Sequence, residues 1–280
     1  VAADADASVD PPAQAPCPDA LAHLDAIAAR LRAGRPAIFL DYDGTLTPIV
    51  DRPEDARLDP AMREAVRALA RRHPLAVVSG RDLDDVRARV GVDEAFYAGS
   101  HGFDIAGPAG ARHRHPQALA RAGALDAAES ALGERLRDVP GARVERKAFS
   151  LAVHYRLVAP DDLPRVESAV AAVRAAEPGL RVQAGKKVFD FQPDVPWHKG
   201  RAVQWLMQAV GDGALVPLYV GDDVTDEDAF RTLAGTGVTV AVLDEPRPTA
   251  AAYQLRSTAD VLALLRALAG RLPAEPAGVS

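Results

Sequence analysis

A single cysteine, Cys17, in 280 residues rules out an intrachain disulfide, and no group of residues has the ligand spacing of a zinc site. A reducing cytoplasm suits this composition, so a cytoplasmic location is expected. Long apolar runs are missing too. The alanine-rich segments are broken by Arg, Asp or Glu every few positions, and none reaches the roughly 18 uncharged apolar residues that cross a bilayer. No membrane partner is expected. The formal net charge of -6 leaves no excess of positive charge, which argues against a broad footprint for nucleic acid. An anionic ligand must therefore be met by a local site. The first 18 residues lack a basic start followed by an apolar run, so they read as a disordered leader rather than a signal peptide. Internal repeats and a glycine-rich nucleotide loop are absent as well.

What the chain has is 48% hydrophobic residues, ample for a core, arranged in two kinds of pattern. Helical spacing over 19–33 is followed by the short apolar run 37–40, which ends abruptly in Asp41-Tyr42-Asp43-Gly44. A buried parallel strand emptying into a loop looks like this. Asp59-Pro60 reads as an N-cap and first helical proline, with Met62, Val66 and Leu69 facing inward. A second apolar strand, 75–78, ends at Ser79-Gly80-Arg81, and a helix over 82–90 follows. Strand, helix, strand in this order predicts crossover units of a parallel sheet, whose ligands bind beyond the carboxyl ends of the strands.

Between about 105 and 193 the pattern changes. A helical stretch (117–138), two strands (143–147 and 149–156), a helix (161–176) and strands near 181–183 and 188–191 predict an antiparallel sheet with helices on one face. In the second of these strands Leu151, Val153 and Tyr155 alternate with Ala152, His154 and Arg156. The parallel pattern then resumes. A helix over 199–210 stops at Gly211, and a strand over 218–220 empties into Gly221-Asp222-Asp223-Val224-Thr225-Asp226, with Thr225 the expected cap of the next helix. A strand at 238–243 and a last helix capped by Ser257 complete the chain. The expected layout is a leader (1–18), a discontinuous core (19–104 and 194–270), a cap (105–193) and a flexible tail (271–280).

Asp41-x-Asp43 alone is an ordinary turn sequence. Its place after an apolar strand, with Asp222, Asp223 and Asp226 after another and Ser79 and Lys199 as donors between them, makes it more. Carboxylates gathered at one end of a sheet repel unless a cation joins them, and hard oxygen ligands suit magnesium.

Asp41-Tyr42-Asp43-Gly44-Thr45-Leu46, Ser79, Lys199 and Gly221 through Asp226 resemble, in order and location, the four motifs of the haloacid dehalogenase superfamily. The resemblance implies an α/β fold: a Rossmann-like parallel core with an inserted α+β cap of type C2B. It also implies that Asp41 is the nucleophile, that Asp43 is the general acid and base, and that Ser79 and Lys199 hold the phosphoryl group. Mg²⁺ would be held by Asp41, the carbonyl of Asp43, and Asp222, with Asp226 in or just outside the coordination sphere.

Within the superfamily, further segments are similar to trehalose-phosphate phosphatases: Val78-Ser79-Gly80-Arg81, Gly99-Ser100-His101-Gly102, Glu145-Arg146-Lys147 with Ser150 and His154-Tyr155-Arg156, then Gly185-Lys186, Pro193 and Lys199-Gly200. The similarity runs from residue 37 to about 267. It implies hydrolysis of trehalose 6-phosphate, the last step of trehalose biosynthesis. The expected substrate-binding residues are Gly80, Arg81, His101, Lys147, His154, Arg156, Lys186 and Asp190. It further implies a monomer with a functional link to the synthase that makes the ester.

Three positions depart from the family pattern: Asp104 and Asp190 stand where glutamate is common, and Gln192 where arginine is usual. Lys147 and Arg156 have a second reading as solvating residues of a sheet face, and His154 as a structural histidine. His113 and His115, flanked by Arg112 and Arg114, read as an exposed basic segment near the cap entrance rather than a metal site. Beside the trehalose ester stand two other readings: a phosphatase or mutase for another sugar phosphate, such as sucrose phosphate or mannosylglycerate phosphate, and a catalytically silent phosphosugar sensor. Hinges are expected near 104–105 and 193–196.

Overall fold

In the computed structural model, residues 17–50, 52–185, 187–211 and 214–273 are described. Helix α1 (Leu24–Arg32) leads into β1 (Arg35–Leu40), and α2 (Pro60–Ala70) into β2 (Leu75–Val78). Helix α3 (Leu83–Val90) precedes β3 (Phe96–Gly99), and the short strands β4 (Asp104–Ala106) and β5 (Arg112–Arg114) follow. The chain then runs through α4 (Pro116–Leu119), α5 (Ala122–Leu136), β6 (Arg143–Arg146), β7 (Leu151–His154), α6 (Leu163–Ala176), β8 (Leu180–Gly185) and β9 (Val188–Pro193). It returns with α7 (Lys199–Val210), β10 (Leu215–Gly221), α8 (Glu227–Leu233), β11 (Val238–Val242), β12 (Tyr253–Leu255) and α9 (Thr258–Arg271).

The large sheet has the order β12-β11-β10-β1-β2-β3-β4-β5, parallel through β3 and antiparallel at its last two strands. Strand β1 is central: from it the chain builds β2 and β3 on one side, and after the insertion β10, β11 and β12 on the other. This reversal of winding opens a crevice at the carboxyl ends of β1 and β10. Successive residues of β1 serve opposite faces. Ile38 and Leu40 join the layer formed with α1, α2, α3 and α9, whereas Ala37 and Phe39 join the layer under α7 and α8.

The second sheet, β6-β7-β9-β8, is antiparallel. Leu151, Val153 and Phe191 pack against α5 and α6, so the alternate residues Ala152, His154 and Asp190 point away from those helices. The period-two alternation of the sequence thus sets which face of the cap meets the core.

Several boundaries differ from expectation. Strands β4 and β5 belong to the core sheet, so the chain leaves the core after His115 and not at 104–105. The helix expected over 117–138 is broken into α4 and α5 around Ala120 and Arg121. Of the expected leader, residues 1–16 lie outside the described residues. Cys17 and Pro18 are tied to the core: Cys17 Sγ donates to the Ala251 carbonyl (3.2 Å), and Gln254 N–H donates to the Pro18 carbonyl (3.0 Å). The expected tail begins inside α9, whose Arg271 precedes the buried Leu272; residues 274–280 lie outside the described part. Among the described residues no helix is long and apolar enough to cross a membrane.

Candidate active site

The loops after β1, β2, β3 and β10 and the first residue of α7 converge on one point. The Asp41 N–H still pairs with the Val220 carbonyl at 2.9 Å, which fixes Asp41 at the last rung between β1 and β10. Beyond it the chain turns sharply, with the N–H groups of Leu46 and Thr47 both donating to the Tyr42 carbonyl. Gly44 adopts φ 84°, and a Cβ there would lie 2.0 Å from Asp222 Oδ2, so only glycine lets this turn approach the β10 loop. Ser79, fully buried, follows β2, and its hydroxyl accepts the Arg81 N–H at 3.1 Å.

Asp41, Asp222 and Asp226 bring carboxylate oxygens within 4.8 Å of one another. Lys199 is buried between two of them, its Nζ donating to Asp41 Oδ1 and Asp226 Oδ1, each at 2.7 Å. Burial alone would lower the Lys199 pKa; Asp226 and Asp41 overcome that and hold it raised. Burial pushes Asp41 well above the usual carboxylate range, with Lys199 opposing and Asp226 and Asp222 adding to the rise. Asp222 is pushed up to about 7, by burial first and then by Asp226. Three carboxylates against one ammonium leave excess negative charge in a confined space, and a divalent cation with a preference for hard oxygen donors would relieve it.

The three carboxylates are not equivalent. Asp226 Oδ1 accepts from Lys199 and from the Tyr219 hydroxyl (2.6 Å), and Oδ2 accepts the N–H groups of Asp222 (3.1 Å) and Asp223 (2.9 Å). All four acceptor positions of that carboxylate are filled, whereas Asp41 and Asp222 keep free capacity. Asp226 therefore orients Lys199 and the β10 loop from behind. Tyr219, absent from the sequence expectations, is the residue that completes this arrangement. Its only signal in the sequence is a hydroxyl inside an otherwise apolar buried strand. Thr225 does not cap α8: the helix follows Asp226, which makes no capping bond to it, and the reciprocal box of Asp223 with Asp226 closes the 3₁₀ turn Val224–Asp226 just before it.

Above this floor lies a cavity of about 480 Å³ between core and cap, lined by Asp43, Gly80, Arg81, His101, Glu145, Lys147, His154 and Asp190. Asp43, 40% exposed at its side chain, faces it and is clamped by the Arg81 guanidinium through two 2.7 Å bonds, while Arg81 also reaches Asp85. Ser100 and His101 both have positive φ, 49° and 56°, a costly backbone for side-chain-bearing residues. That turn sets the His101 ring over Gly80, where a Cβ would come within 2.8 Å of it. Burial, then Lys199 and Lys147, push His101 down to about 3, so its ring is neutral.

From the cap, His154 Nε2 meets Glu145 at 3.0 Å. The Asp190 carboxyl is raised by burial, its Oδ2 accepting from the Gln192 amide at 2.6 Å and its Oδ1 buried without a partner. Gln192 in turn accepts from Arg181 at 3.2 Å, which locks the direction of Asp190.

Other expected residues lie elsewhere. Arg156 is exposed and does not line the cavity: β7 ends at His154 and a turn follows, so the alternation that would have put Arg156 beside His154 lapses. Lys186 lies outside the described residues. Asp104 is buried in β4, gripped by both ends of the Arg112 guanidinium at 2.9 and 2.7 Å, and plays no part in the cavity wall. The basic segment is accordingly less exposed than expected, with His113 stacked on Trp205 (centroids 4.4 Å apart) and His115 against Trp197 (4.5 Å).

The family model for trehalose-phosphatase matches residues 39–259. A trehalose-phosphate phosphatase of Mycobacterium tuberculosis is 45% identical over 267 residues, covering 92% of this chain and 67% of that protein. An uncharacterized glycosyl hydrolase of the same organism is 44% identical over 262 residues; they cover 90% of this chain but 20% of the relative, so the chain spans about a fifth of its length. Among solved structures, a trehalose-6-phosphate phosphatase of Aspergillus fumigatus superposes with a TM-score of 0.64 at 26% identity, over 88% of this chain and 97% of that one.

Proposed function

The chain belongs to the trehalose-phosphatase family, with the haloacid dehalogenase-like core and inserted cap of its structural neighbours, and from that premise we propose that it hydrolyses trehalose 6-phosphate to trehalose and phosphate. One observation carries the reading: Asp41, Lys199 and Asp222, scattered over more than half the sequence, cluster at the strand ends, and Asp43, two residues after Asp41, lines a cavity whose other wall is polar cap residues.

In the proposed reaction the free Asp41 oxygen attacks phosphorus while the bond to the sugar oxygen breaks, and Asp43 gives that oxygen its proton. An aspartyl phosphate results. Water then attacks phosphorus, Asp43 takes the water's proton, and the bond to Asp41 breaks to free phosphate. Lys199 and Ser79 hold the phosphoryl oxygens, and Lys199 also keeps the other Asp41 oxygen fixed so that one lone pair faces the incoming ester. Asp41, Asp222 and the Asp43 carbonyl would hold Mg²⁺, which when bound offsets the repulsion between an anionic nucleophile and an anionic ester. Asp43 must leave Arg81 to reach the sugar oxygen, which makes Arg81 the group that parks the acid between turnovers.

The cap wall suits a sugar. Neutral His101, the His154–Glu145 pair, Lys147 and the unpartnered Asp190 oxygen offer donors and acceptors together, and a substrate lacking hydroxyls would leave them unpaired. A small-molecule substrate, a monomer and a cytoplasmic setting complete the proposal, with a functional link to the synthase that makes the ester. The test is phosphate release from trehalose 6-phosphate, sucrose 6-phosphate and glucose 6-phosphate, each with Mg²⁺ and with excess chelator. Metal-dependent preference for the trehalose ester is expected. Preference for another sugar would reassign the cap, and silence across the panel would leave only a phosphosugar-binding role.

A further inference from the structure

Asp82 stands at the position that should cap α3. A carboxylate there ordinarily accepts N–H groups from the first turn of its own helix, but Asp82 makes no such bond. Both of its oxygens are turned the other way. Oδ1 accepts from the Ser100 hydroxyl at 3.1 Å, and the N–H of Ala148 donates to Oδ1 and Oδ2, each at 3.2 Å. Ala148 lies 66 residues away, in the turn that joins β6 to β7 in the cap. Two neighbours in that turn matter to the site: Lys147 reaches the cavity, and Phe149 is buried against the core's Phe103, ring centroids 6.0 Å apart.

We propose that Asp82 is a positioning residue that latches the cap turn onto the catalytic floor. One carboxylate gives up its helix cap to hold two things at once: the strained Ser100–His101 turn beneath the cavity and the backbone that carries Lys147 above it. Phe149 supplies the apolar half of the same contact, which fixes where the turn lands, while Asp82 fixes its direction. Asp82 also lines the cavity, so exchange at Ala148, and not KM alone, separates the latch, which acts through Lys147 and His101, from a direct contact of Asp82 with the sugar. The latch's effect is confined to substrates large enough to need the cap wall. This consequence rests on the sugar-phosphate reading above; the contact itself does not.

The experiment compares the full chain with Asp82→Ala and Asp82→Asn, the second keeping the shape and one acceptor oxygen so that folding is preserved. Amide hydrogen exchange is measured at Ala148 and along α3, alongside Mg²⁺-supported turnover of trehalose 6-phosphate and of p-nitrophenyl phosphate. In Asp82→Ala the Ala148 amide should exchange about tenfold faster, with α3 unchanged, as expected for loss of a hydrogen bond to a charged acceptor. kcat/KM for the sugar ester should fall about tenfold, mostly through KM, while aryl phosphate turnover changes less than about twofold and Asp82→Asn recovers most of the loss. Unchanged exchange at Ala148 would overturn the latch, as would a parallel fall for both substrates. If the unaltered protein turns over no sugar ester, the exchange measurement still decides the contact.

Discussion

Removing the ionisable group at Asp222 tests the electrostatic account of the site. Burial, reinforced by Asp226 and opposed by Lys199, raises Asp222 from 3.8 to about 7. The folded protein therefore keeps a proton that the unfolded chain releases near pH 4. The stability belonging to that proton is fully present below the unfolded value and is lost as pH rises through about 7. At about 1.4 kcal/mol per unit, the loss across this window is on the order of 4 kcal/mol, shared with Asp41, which titrates against the same neighbours. With chelator present, urea unfolding from pH 4 to pH 8 should show the stability of the unaltered protein falling over that range, and Asp222→Asn should fall much less. Mg²⁺ should restore the loss at pH 7.5 in the unaltered protein and leave Asp222→Asn unmoved. A flat profile for the unaltered protein without metal, or an equally steep one for the variant, would refute the argument.

Three further outcomes follow from the same geometry. Asp41→Asn should abolish phosphate release while circular dichroism and the unfolding midpoint in chelator show an intact fold, since the change also removes one of three clustered carboxylates. Tyr219→Phe deletes the 2.6 Å donor to Asp226 and should cost about 1–3 kcal/mol in urea unfolding, together with a fall in kcat as Lys199 loses its support; an unchanged kcat would mean that Asp226 needs no such help. Arg112→Ala should cost about 1–2 kcal/mol, discounted because Arg112 is partly exposed and Arg114 stays within 3.5 Å of Asp104, and should leave KM for the sugar ester unchanged; a raised KM would return Asp104 to the substrate wall.

The sequence alone marked the strand ends where the candidate site gathers because its signals are local. A buried parallel strand must be apolar to its end, so Leu40 followed by Asp41 and Val220 followed by Gly221-Asp222 announce where the sheet stops and a site begins. The same holds for Ser79 after Val78, for the Asp59 and Ser257 caps, and for the alternation in β7 that turns His154 away from the cap helices. Tertiary structure decided what depends on partners distant in the chain. Strands β4 and β5 are three residues each, β5 being Arg-His-Arg, and they exist because β3 offers an open edge for β4 and β4 one for β5. Asp104 stands where the family pattern has glutamate, but Arg112 folds back onto it, and Arg156 reads like part of the wall until β7 ends at His154 and a turn follows. Asp82 has the sequence of a helix cap, and only the arrival of Ala148 shows where its oxygens go. Periodicity and strand ends are properties of neighbours in sequence; the choice among acceptors for a charged side chain is settled by whichever donor the fold brings nearest.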